Sequence, residues 1–142
     1  MSMFTMQFSE EKMLESMGQQ LFPDEHIKAA VYCNFQDTGF FASPYHIMIG
    51  YVGLTDRYRI VGNKSGYIIT DPLDIDLNAI TKLKVKKMLF GQYQVYMEYF
   101  ADRHRKLKFS VVPKIGGTKF PNQKPNMEFL IQTLKERQAM LR

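Results

Sequence analysis

Apolar residues recur along this chain with two different periods. From Ile27 to Phe35 they fall on every second position, Ile27, Ala29, Val31, Cys33 and Phe35, with Lys28, Tyr32, Asn34 and Gln36 on the other side, the pattern of a half-buried strand. Tyr45 to Thr55 forms a second β-rich run, in which Gly50 and Gly53 suit a sharp bend or a bulge. Arg59 to Val61 and Tyr67 to Thr70 predict two short strands. A long fifth strand is expected where Ile75, Leu77, Ala79, Thr81, Leu83 and Val85 alternate with Asp74, Asp76, Asn78, Lys82, Lys84 and Lys86, with only Ile80 interrupting the polar row. Tyr93 to Phe100 and Leu107 to Val112 complete the set. The connections Asp37-Thr38-Gly39, Asp56-Arg57, Gly62 to Gly66, Leu89-Phe90-Gly91 and Ala101 to Lys106 are short, so consecutive strands are expected to pair as an antiparallel meander.

The helical period appears at the two ends. Ser9 is a suitable N-cap for a helix from Glu10 to about Gln20, acids occupy its first turn, and Phe8 is placed to staple against Met13. Its stripe Met13, Leu14, Met17 and Leu21 is expected to cover an open edge or end of the sheet. Phe22-Pro23 ends it. After a polar loop from Pro113 to Pro125, Asn126 is read as the cap of a last helix whose Met127, Leu130, Ile131, Leu134 and Leu141 share one face and seal the sheet. The organisation expected is a single domain over residues 22–142 with residues 1–21 as a helical extension.

Composition narrows the class. With 142 residues, 45% hydrophobic and 23% charged, the chain can bury one core and lies away from the disordered regime. Its apolar runs are too short to span a bilayer and its start lacks a signal-peptide pattern, so a cytoplasmic protein, at most peripheral to a membrane, is expected. The single Cys33 alternates with core positions and reads as a buried thiol.

Charge is polarised. Residues 1–80 carry five Lys or Arg against ten Asp or Glu, whereas residues 81–142 carry fourteen against four. Lys82, Lys84 and Lys86 alternate on one strand face with Lys87 beside them, and Arg103, Arg105, Lys106 and Lys108 cluster at the following hairpin. Alternate strand residues share a face, so Lys82, Lys84 and Lys86 are expected in a row about 7 Å apart, and the eight residues together are the candidate anion-binding set. As a bland alternative, such a row is a solvated edge that resists aggregation.

No catalytic constellation accompanies them. His26, His46 and His104 have no metal-ligand spacing, no nucleophile elbow, P-loop or dinucleotide fingerprint occurs, and Gly116-Gly117 lies in a Pro/Lys-rich loop without a strand-to-helix phosphate cradle. Asp74 and Asp76 share a strand face but read as solvated charge. The expectation is a non-enzyme with no cofactor and no metal.

The order of about seven strands and one amphipathic helix, together with the strings FPDEHIKAAV at 22–31, GYVGLTDRYRIVG at 50–62 and IDLNAITKLKVKKMLFG at 75–91, resembles bacterial pleckstrin-homology-like modules of the PH-like, GRAM-like or YokE type. The resemblance implies a mainly β fold: a bent antiparallel sheet or partly open barrel capped by the C-terminal helix. It also implies an interaction module for a protein partner, for itself, or for an anionic lipid surface. The first hairpin has no Lys or Arg between Lys28 and Arg57 and holds Asp37, Phe40, Phe41, Tyr45 and His46 instead, so no specific phosphoinositide site is expected. Nucleic-acid binding through region 82–124, with Tyr93, Tyr96 and Tyr99 nearby, is the alternative.

Overall fold

The computed structural model describes residues 9–36, 47–64, 72–115 and 120–141. They form seven strands: β1 (Ile27–Gln36), β2 (Ile47–Thr55), β3 (Arg59–Asn63), β4 (Pro72–Asp76), β5 (Ile80–Lys87), β6 (Tyr93–Phe100) and β7 (His104–Val111). Two helices, α1 (Glu10–Gly18) and α2 (Gln123–Met140), flank the sheet. The strands run in the order β4-β3-β2-β1-β7-β6-β5, every neighbouring pair antiparallel. The outermost strands β4 and β5 are not neighbours in that order, so the sheet is open. This is the expected mainly β, PH-like architecture.

The sheet divides where β1 meets β7. Only Asn34, Phe35 and Gln36 pair with β7, and below that point the strands part. Backbone groups released there need other partners. Gln123 supplies them: its side-chain carbonyl accepts from the Tyr32 N–H at 3.1 Å, and its amide donates to the carbonyls of Tyr32 at 2.9 Å and Val112 at 3.0 Å. The Asn126 amide donates to the Ala30 carbonyl at 3.1 Å. The first turn of α2 therefore bridges the two halves where they part, and at its other end Arg137 donates to the carbonyls of Asn78 and Ile80. Between these ties Met127, Leu130, Ile131 and Leu134 pack into the main core with Val31, Phe35, Val95, Phe109 and their neighbours.

A second apolar cluster lies on the opposite face of β1–β3. Met13 and Met17 of α1 cover Ala30, Tyr51 and Val61, and Phe120 packs at their side, with its ring 5.1 Å from that of Tyr32. Gly53 makes room for α1: a Cβ there would stand 2.6 Å from the Met17 sulfur. Ser9 caps α1 as expected, accepting from the Lys12 N–H at 3.2 Å. The helix ends at Gly18, two residues before its expected end, and it covers a face of the sheet rather than an edge.

Other boundaries also depart from expectation. The long strand expected from Ile75 is two strands joined by one 3-10 turn, Leu77–Ala79, and a bulge between Ile80 and Lys82. The interruption resets the alternation, so Ile80 is buried and Thr81 exposed. A bulge between Ile27 and Ala29 likewise turns Ile27 into the cluster under α1. α2 begins three residues before the expected cap Asn126. Pro125 is its third residue, a position where no intrahelical N–H bond is lost. The expected strand Tyr67–Thr70, the staple residue Phe8, the turn Asp37-Thr38-Gly39, His46 and Gly116-Gly117 lie outside the described residues.

Candidate functional site

Strand alternation sends Leu83 into the core and Lys82, Lys84 and Lys86 outward. Cross-strand pairing then decides what stands beside each lysine. Lys82 is opposite Glu98, Lys84 opposite Tyr96 and Lys86 opposite Gln94, while on the next strand Lys106 is opposite Glu98, Lys108 opposite Tyr96 and Ser110 opposite Gln94. Directly opposed residues of an antiparallel pair share a face. The outcome is a shallow groove of about 400 Å³ lined by Lys82, Lys84, Lys86, Gln94, Tyr96 and Lys108.

Its charge is graded. At one end Glu98 lies 3.7 Å from the Lys82 ammonium and 3.0 Å from His104 Nε2, and accepts a 2.9 Å hydrogen bond from the Tyr96 hydroxyl. The Tyr96 hydroxyl is the main reason the Glu98 carboxyl titrates below its usual range, with Lys82, His104 and Lys106 adding to the effect against some desolvation. Tyr96 is pushed up by burial and by that carboxylate. At the other end, Lys84, Lys86 and Lys108 form no ion pair among the described residues. Positive potential thus accumulates toward the β5–β6 turn.

The eight candidates are therefore not one cluster. Lys82, Lys84, Lys86 and Lys108 share the groove, and Lys106 adjoins it beside Glu98. Arg103 and Arg105 sit at the β6–β7 turn, where Arg105 is bound to Asp102 at 2.8 Å. Lys87 faces a separate open cleft of about 760 Å³ between the β5–β6 turn, the segment after β7 and the start of α2. Sequence alone does not single out Gln94 and Tyr96 as groove residues; their signal is the register opposite Lys86 and Lys84.

Several of the other titratable groups hold the fold. Arg59 binds Glu25, donates to Asp74 at 2.6 Å and to the Gln20 carbonyl at 2.6 Å, and lies 4.2 Å from the Phe22 ring centroid. Burial would raise the Glu25 carboxyl, but the Thr55 hydroxyl, the Phe22 N–H and Arg59 together hold it below its ordinary value. Asp76 caps the 3-10 turn through the Asn78 N–H at 2.9 Å. His26 contacts Asp56 at 3.1 Å. Cys33 is buried, and burial pushes its thiol far up, away from the reactive thiolate. Among the described residues, no three His, Cys, Asp or Glu side chains come together to hold a metal ion. No helix among them is long and apolar enough to cross a membrane.

No protein-family model and no curated protein matches the chain. Among solved structures it is similar to the hSac2 domain from human phosphoinositide phosphatase Sac2, with 14% identity, a TM-score of 0.48, and coverage of 92% of this chain and 82% of that one.

Proposed function

We propose that the protein is a non-catalytic interaction module, in the manner of the bacterial PH-like and GRAM-like domains it resembles in sequence, that acts in the cytoplasm by docking on an anionic surface through the outer face of β5–β7. The observation that carries this reading is the groove of Lys82, Lys84, Lys86 and Lys108 around Tyr96 and Gln94, with Glu98 at one end as its single neighbouring carboxylate among the described residues. Lysines on a strand surface cost the fold little, and several together attract polyanions in a salt-dependent way. The nucleic-acid alternative has less support: of the three tyrosines, Tyr96 alone lines the groove, whereas Tyr99 is buried in the core and Tyr93 lines the cleft on the other side.

Retention on immobilised heparin across a salt series tests the reading. The wild-type chain should elute late, and the triple variant Lys84→Glu, Lys86→Glu, Lys108→Glu should elute near the void at low salt with an unchanged Tm. Equal elution of the two would remove the groove from the account.

A further inference from the structure

The turn between β5 and β6 has an unusual surface. A tight reversal joining two strands is expected to be polar, yet it contains Met88, Leu89 and Phe90, of which Leu89 is 79% and Phe90 94% exposed. Phe90 is the most exposed large apolar side chain among the described residues. It is held there by backbone: the Met88 N–H donates to the Gln92 carbonyl at 2.7 Å, the Gln92 N–H to the Leu89 carbonyl at 3.3 Å, and Phe90 itself has φ 61°. That left-handed conformation is costly for an aromatic residue, and glycine or asparagine would relieve it. The cost is not returned by burial within the chain.

What surrounds the tip identifies its counterpart. Lys86 and Lys87 precede it directly. Lys114 and Lys124 line the cleft that Phe90 walls, with Glu128 as the carboxylate among its lining residues. On the other side the tip continues into the unneutralised end of the groove, at Lys84, Lys86 and Lys108. Two protruding apolar side chains inside a collar of lysines match the layering of an anionic bilayer, with acyl chains beneath phosphate and carboxylate headgroups.

We propose that the β5–β6 turn is a membrane-insertion tip: Leu89 and Phe90 enter the acyl region of an anionic bilayer while Lys84, Lys86, Lys87, Lys108, Lys114 and Lys124 bind its headgroups. This deepens the anionic-surface reading and rests on it, naming a lipid bilayer as the polyanion. Neither attraction suffices alone, since a short apolar tip is a weak anchor and a basic patch alone is displaced by salt.

The chain contains no tryptophan, so Phe90→Trp installs a single reporter at the tip. With vesicles of phosphatidylcholine and phosphatidylserine its emission should shift to the blue and be quenched by brominated acyl chains; with phosphatidylcholine alone neither should occur. The double variant Leu89→Ser, Phe90→Ser should keep its Tm and heparin elution while its partitioning into the anionic vesicles falls at least about tenfold. The inference is overturned if that variant partitions as wild type does, if the emission of the Phe90→Trp variant is unmoved by vesicles that the chain binds, or if the double variant abolishes a dimer seen by sedimentation without lipid, which would make the tip a self-association surface. Wild-type protein that binds heparin but ignores phosphatidylserine vesicles overturns the tip alone. Protein that binds neither overturns the anionic-surface reading as well.

Discussion

The two halves of the sheet bury the same kind of inner face and differ in what lies on the outer one. In β1–β3 the outer row Tyr32, Tyr51, Ala30 and Val61 is covered by α1 and Phe120, and all five residues of β3 are buried. In β5–β7 the outer row is Lys82, Lys84 and Lys86 against Gln94, Tyr96 and Glu98, and nothing in the described residues packs over it. Strand pairing is the same in both halves. What separates them is whether an amphipathic helix supplies a second apolar layer, as two-faced burial requires. The covered half buries both faces of its strands, and the open half leaves one face uncovered by the described residues.

Breaking the buried ion pair of the covered half should have the largest effect. Arg59→Ala leaves Glu25, a carboxylate whose side chain is 0% exposed, without its guanidinium and also loses the bonds to Asp74 and the Gln20 carbonyl. A loss of about 3–5 kcal/mol is expected in urea denaturation. Next in size, Leu83→Ala should cost about 2–5 kcal/mol by leaving a cavity under α2, because the open half is open on one face only. A silent Leu83→Ala would mean that β5 contributes no core and that the two halves differ on both faces.

The pH dependence of stability sharpens the contrast. Glu25 has a carboxyl pKa lowered in the folded chain from an ordinary 4.5. Its contribution is therefore complete above about pH 4.5 and lost as pH falls through the lower folded value, since the unfolded chain takes up the proton first. Acid titration of Tm should be shallower below pH 4.5 in Glu25→Gln, from a lower starting stability; an unchanged slope would assign the acid loss to other carboxylates. The smallest expected effect belongs to the open half: replacing Lys84, Lys86 and Lys108 by Glu should change stability by no more than about 0.5 kcal/mol each. Unfolding of that variant would show that the groove is structural and end its candidacy as a free binding face.

The positions legible in the sequence were those governed by backbone periodicity. Lys82, Lys84 and Lys86 share a face in any strand, Ser9 caps a helix by chemistry local to four residues, and Met127, Leu130, Ile131 and Leu134 make one stripe wherever α2 docks. Tertiary structure decided the rest. Whether Lys84 meets a carboxylate or Tyr96 depends on the register of β6, and whether α1 lies over an edge or a face depends on Gly53 admitting Met17. Arg59 finds Glu25 34 residues away, a distance along the chain on which periodicity carries no information. Leu89-Phe90-Gly91 could be read as a turn, but its two large apolar residues do not announce whether the fold will cover them. Local geometry determines which side chains share a surface, and only packing between distant segments determines what that surface meets.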